Sequence, residues 1–170
     1  MYLAKPNKPL EGTIMKKDFI KPKFWKLSQS PRSNFTFKDI MDCINEKVVY
    51  ISANTLGVGG AKITQAEDFV SANIGDYFYL THGNNGIYLI GQFVGKANYF
   101  HRFSSDNDTW IERPFKIIQF ATHLKEYNGT RHGWTPNQNS TFVQIPENEF
   151  DIFEQEILIP YFNLNLNFLK

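Results

Sequence analysis

The sequence carries a single cysteine, Cys43, among 170 residues, which excludes an internal disulfide framework and a cysteine-rich zinc site. A lone thiol fits a reducing, cytoplasmic setting. A dominant charge is lacking too: 18 Lys and Arg stand against 17 Asp and Glu, so no whole-molecule field draws the chain to nucleic acid or to an anionic membrane. Any electrostatic binding has to come from a local patch. There is no apolar run long enough to span a bilayer, and the opening MYLAKPNKPL lacks the apolar stretch of a signal peptide, so the expectation is a soluble protein that is not exported.

The common catalytic signatures are missing as well. GVGGAKIT has the glycines of a phosphate loop, but Lys62 lies between Ala61 and Ile63 and the Gly-Lys-Ser/Thr step is absent. His82, His101, His123 and His132 show no metal-ligand spacing, no carboxylate-x-Lys pair ends a strand, and no Gly-x-Ser-x-Gly elbow occurs. Cys43, beside Met41 and Ile44 in a helical pattern, reads as a buried, inert thiol. These absences lead to the expectation of a binding domain without catalytic residues, cofactor or metal.

What the chain has in excess is aromatic residues: 16 Phe, 8 Tyr and 3 Trp. Residues 1–22, with several Lys and three Pro, read as an extended lead-in, and 23–170 as one domain. Within it, Lys23 to Ser28 has the alternation of a first strand. Phe37, Ile40, Met41 and Ile44 fall at helical spacing, capped by Asn34 or Thr36, and this helix should end near Glu46. VVYISA is a β-branched strand, followed by the glycine-rich loop NTLGVGG. Thr64 and Glu67 form a capping box for a short helix to about Ala72, with Phe69 and Val70 as its apolar contacts.

DYFYLTH and IYLIGQFVGKA are strands joined by the turn GNNG, and Gly91 and Gly95 mark a bulge or bend. After the polar loop NYFHRFSSDND, Trp110 to Phe120 is a further strand strained by Pro114. A long loop from Thr122 to Ser140 leads to the short strand TFVQIP and a last helix closed by Pro160. This order is not the alternation of a doubly wound sheet. It predicts an α+β fold with a strongly curved, barrel-like mixed or antiparallel sheet of about five to six strands flanked by helices.

Several aromatics stand beside cations. Lys21, Lys23 and Lys26 surround Phe24 and Trp25, Arg102 and Arg113 flank Trp110, and Arg131 and His132 precede Trp134. Such interleaving suits a polynucleotide, since cations neutralise phosphate while ring faces stack on bases. Core tryptophans among ordinary solvated charges would give the same pattern.

KFWKLSQSP resembles the first strand of the EVE domain of the PUA-like superfamily, relatives of the YTH readers of methylated adenine, whose pattern is Lys-Tyr-Trp-x-x-Lys-Ser-Glu-Pro. GDYFYLTHGNNGIYLIGQFVGKA is similar to the family's Gly-Asp, strand, Tyr-His-Ser, turn and glycine-bearing strand, matching at Gly75, Asp76, His82 and Gly91. The likeness runs from Lys23 to Ala97 and weakens beyond. It departs at Ser28-Gln29-Ser30 and at VVYISANTLGVGG, which replaces Trp-x-Gly-Val-Arg-Asn.

The resemblance implies a nucleic-acid-binding module that accepts a modified base, flipped from DNA into an aromatic pocket. Similar domains choose the target in modification-dependent restriction GTPases of the McrBC type, which would make other subunits or domains of a restriction complex its partners. Unstacking a base costs about a few kcal/mol, to be offset by a ring sandwich and hydrogen bonds to the base edge. On this reading Trp25, Tyr50 and Trp110 supply pocket rings, and Ser28, Asn54 and His82 are the polar readers. Lys21, Lys23, Lys26, Arg32, Lys62, Arg102 and Arg113 hold phosphates. An RNA-binding PUA-like domain and a small nucleobase or nucleoside hydrolase on the same fold are the alternatives.

Overall fold

A computed structural model of the chain describes residues 20–100 and 109–169. Seven strands are present among them: β1 (Phe24–Ser28), β2 (Val48–Ser52), β3 (Tyr77–Thr81), β4 (Ile87–Phe93), β5 (Asn98–Phe100), β6 (Trp110–Phe120) and β7 (Phe142–Gln144). They form one curled sheet in the order β2-β6-β4-β3-β1-β7, with the short β5 beside β6. The sheet is mixed: β1 and β3 run parallel and every other pairing is antiparallel. The helices are α1 (Phe37–Glu46), α2 (Gln65–Ser71), α3 (Phe150–Phe153) and α4 (Ile159–Phe162). The α+β class and the strongly curved sheet are as the sequence predicts, and of the mixed and antiparallel alternatives the sheet is mixed.

Both faces of the central strands are covered, which explains their near-continuous apolar runs. Strand alternation sends Trp25, Leu27, Phe78 and Leu80 to one core with Phe69 and Phe142, and sends Phe24 and Tyr79 to a second core with Trp134, Phe153 and Phe162. The same alternation turns Lys26 toward the second core, where it is fully buried.

The curl comes from irregularities that the glycines permit. The β4–β6 register shifts between Ile90 and Gly91. At Gly91 a Cβ would lie 2.5 Å from Phe78 Cζ and 2.8 Å from Phe115 Cδ2, so only glycine lets these rings close over the strand. Strand β4 stops at Phe93 instead of running to Ala97, and part of the expected polar loop is β5. Pro114 is tolerated because β6 changes partner there: Trp110 to Pro114 pair with β2, whereas Phe115 to Phe120 pair with β4.

Local signals hold at the caps. Thr36 caps α1 in a capping box with Asp39, while Asn34 takes a left-handed conformation (φ 64°) just before it. Thr64 and Glu67 form the expected box on α2. Phe37 and Val70, expected on apolar faces, are exposed. Pro160 does not close the last helix but lies inside α4, after a π-helical turn over Glu154–Leu158. The widened turn relaxes the hydrogen-bond ladder ahead of a residue that has no N–H to give.

Candidate functional site

Where β1 ends, the chain meets the β3–β4 turn and the far end of the long 122–140 loop, and these segments enclose an open cleft of about 620 Å³. Ser28, Ser30 and Arg32 come from the β1 end, Gly83 to Asn85 from the turn, and Arg131 with residues 136–141 from the loop. Two arginines and no carboxylate are in this lining, so the cleft carries a positive local charge. No aromatic ring lines it. The remaining surface is hydroxyl, carboxamide and backbone.

Each wall is fixed by hydrogen bonds. Ser28 Oγ accepts from the Gly83 N–H at 3.2 Å, and the Ser28 N–H donates to the Thr141 carbonyl at 2.7 Å. Asn84 is locked in both directions to the Tyr127 backbone, at 3.1 Å each way. The Ser30 hydroxyl accepts from the Arg32 N–H at 3.2 Å, starting the short turn that presents Arg32. Gln65 Oε1, from α2, accepts from the N–H groups of Thr141 and Phe142.

Behind the loop wall lies Lys26. Its Nζ donates to the carbonyls of Thr135 (2.9 Å) and Gln138 (2.7 Å) and to Ser140 Oγ (2.9 Å). No described carboxylate pairs with it, and burial pulls its ammonium down from the ordinary 10.5 to about 7.

Of the residues expected at the site, Ser28 and Arg32 line this cleft. The others are elsewhere. Trp25 is a core residue, 4% exposed, stacked on Phe142 with centroids 4.4 Å apart and donating its indole N–H to Asp76 at 3.0 Å. Tyr50 is buried with its hydroxyl on Glu46, and His82 is buried with Nε2 at 2.7 Å from the Phe35 carbonyl. Trp110 is half-buried, edge-on to Phe35. Asn54 and Lys62 are exposed on the loop beyond β2.

Lys21 and Lys23 are exposed at the opposite end of β1, Lys21 pairing with Glu147 at 3.4 Å. Lys26 and Arg113 cannot serve as rim cations, because both are buried. Arg113 donates to the carbonyls of Gly95 (3.1 Å) and Phe69 (2.7 Å) and lies 4.2 Å from the Phe93 ring centre. Arg102 lies outside the described residues.

No family model and no curated protein matches the chain. Among solved structures, the NMR structure of Rpa0253 from Rhodopseudomonas palustris, a structural genomics target, is similar with a TM-score of 0.46 and 12% identity. The match covers 76% of this chain and 89% of that one.

A second concavity, of about 760 Å³, lies beside the α2–β3 turn. Its buried charged members, Asp76 and Arg113, are already engaged by the protein: Asp76 accepts from the N–H groups of Lys23 and Asn73 and from Trp25. Among the described residues no three His, Cys, Asp or Glu side chains converge as metal ligands, and no helix is long and apolar enough to cross a membrane.

Arg131, noted in the sequence only as a cation near Trp134, lines the cleft, whereas Ser30, Asn84, Asn85 and the run from Pro136 to Thr141 were not expected there. The signals for most of these were GNNG and TPNQNS, which read as turn and loop chemistry. Carboxamides that shape a turn and carboxamides that face a ligand look alike in sequence.

Proposed function

We propose that the chain is a non-catalytic nucleic-acid-binding module that admits one base of a polynucleotide, with its phosphate, into the cleft at the end of β1. The observation that carries this reading is the presence of both Arg32 and Arg131 in an open, carboxylate-free, polar cleft of about 620 Å³. Its location adds support, since the β1 end and the β3–β4 turn are two segments that resemble the EVE domain. Following that resemblance, the base is a modified one in DNA, and the module selects targets for a restriction complex. The working compartment in this reading is the cytoplasm, in keeping with a single, buried Cys43.

The mechanism differs from a ring sandwich. With the indoles of Trp25 and Trp134 inside the cores, the roughly few kcal/mol needed to unstack a base has to come from hydrogen bonds to its edge and from phosphate contacts. The carboxamides of Asn85, Gln138 and Asn139, which line the cleft, offer both donors and acceptors for that edge.

Titrating fluorescent oligonucleotides with and without N6-methyladenine or 5-methylcytosine, across salt, tests the reading. Binding should weaken with salt, and each of Arg32→Ala and Arg131→Ala should reduce the salt slope by about one. Affinity that is absent, or unchanged in the double variant, refutes it; matched RNA oligonucleotides show which polymer is preferred.

A further inference from the structure

Among the described residues, the amine of Lys26 is the one buried cation whose partners belong to the cleft wall. Gln138 and Ser140, which accept from it, also line the cleft, and Thr135, its third acceptor, is followed directly by the lining residue Pro136. A charged ammonium has three N–H donors, and three acceptors converge on it. A neutral amine can be held in the same place: it donates to the two carbonyls and accepts from the Ser140 hydroxyl, which then releases its bond to the Gly133 carbonyl. Two protonation states therefore fit one wall, and what distinguishes them is the charge immediately behind the ligand site.

We propose that occupancy of the cleft by a phosphate-bearing anion is coupled to uptake of one proton by Lys26. An anion held against the 136–141 wall by Arg32 and Arg131 stabilises the ammonium behind that wall. The neutral amine gives no such attraction, so binding draws a proton from solvent. This rests on the cleft being the binding site and goes further, because it assigns a proton-linked role to a residue the ligand never touches.

The direction follows from the free protein. Burial holds the Lys26 ammonium down to about 7, so part of the population is neutral just above neutral pH, and the anion raises it again. Affinity then falls as pH rises through and above about 7, by at most tenfold per pH unit for one linked proton. Below that, Lys26 is already charged and the linkage vanishes.

The other titratable or charged groups around it are few. On β3 its register partner is Tyr79, whose burial holds the hydroxyl well above its ordinary range; on β7 its partner is the uncharged Val143. The loop itself carries Arg131 and His132, and Glu149 sits beyond Trp134, 3.4 Å from His132 Nδ1. His132 is the imidazole on the wall loop, and it needs its own control.

Calorimetric titration with a short single-stranded oligodeoxynucleotide, whose diesters do not titrate in this range, and with inorganic phosphate after subtracting the ion's own titration near neutral pH, in two buffers of different ionisation enthalpy, measures the protons taken up by the protein. Wild type and His132→Gln should take up a fraction of a proton at about pH 8 and almost none at about pH 6. Lys26→Met should take up none at either pH. Uptake that disappears in His132→Gln and survives in Lys26→Met overturns the coupling.

The Lys26 Cε resonance of the wild-type protein gives a readout that does not depend on the variant folding. Its midpoint should move upward when either anion saturates the cleft, and a midpoint moved by neither refutes the coupling. Oligonucleotide binding with a midpoint moved by neither anion leaves the nucleic-acid reading intact and removes only this inference. A midpoint moved by phosphate when the oligonucleotide does not bind does the reverse.

Discussion

Replacing Lys26 by Met asks how much the buried ammonium costs the free protein. Methionine has similar length and no charge, so Lys26→Met keeps most of the packing while removing the titration. In the wild type the amine ionises at about 7 when folded and at its ordinary 10.5 when unfolded. Below about pH 7 both states hold the proton, and the contribution of Lys26 to stability is constant and at its least favourable.

Between these values the unfolded chain binds a proton that the native state lacks, so stability rises with pH by about 1.4 kcal/mol per unit, to a total on the order of 5 kcal/mol. Met has no such slope, but it leaves the Thr135 and Gln138 carbonyls without their donor, a pH-independent penalty of about 1–3 kcal/mol each. Urea denaturation of both proteins from about pH 6 to 9 isolates the slope, because every other titrating group cancels in the difference. The wild-type advantage should be flat up to about pH 7 and then grow. A difference that stays flat across the range would mean that three acceptors hold the proton more firmly than burial expels it.

Gly91→Ala should destabilise the fold by about 1–3 kcal/mol in the same assay, since its Cβ meets Phe78 and Phe115 at 2.5 and 2.8 Å; a neutral result would mean the rings can yield. Asp76→Ala should cost about 3 kcal/mol, because the Trp25 indole and two backbone N–H groups lose a charged acceptor, with the loss visible as a lowered urea midpoint. A cleft that recognises by hydrogen bonds should respond more to N6-methylation of adenine, which removes an N–H from the base edge, than to 5-methylation of cytosine, which leaves the edge pattern whole. Equal responses in the oligonucleotide titrations would contradict polar readout.

The hairpin, the Thr64–Glu67 capping box and the curl at Gly91 were legible because their signals are local: turn residues, Thr-x-x-Glu spacing and a glycine inside a strand, whereas for α1 the sequence left Asn34 and Thr36 as alternative caps. The fate of the cations was not. Lys26 and Lys23 stand three residues apart in one short segment, yet one is fully buried and the other exposed. That difference depends on a loop from beyond residue 130 arriving over β1, which periodicity cannot report. Pro160 misled for a similar reason: a stop signal was overridden by a π-turn whose helix is held by the packing of Ile157, Leu158, Tyr161 and Phe162.

The same burial explains why the site is polar in a chain so rich in rings. A sheet covered on both faces spends its aromatics in two cores, as the stacking of Trp25 on Phe142 and of Phe78 on Phe93 shows. The cleft accordingly lies at the ends of β1 and β3, where strands give way to turns. Residues at such ends are chosen for backbone reasons: Gly83 for its positive φ, Ser30 for its cap, Asn84 for its two-way bond to Tyr127. On the proposed reading, recognition is made from turn chemistry plus the two arginines, and the aromatics, which first point to stacking, are in the two cores and not in the cleft.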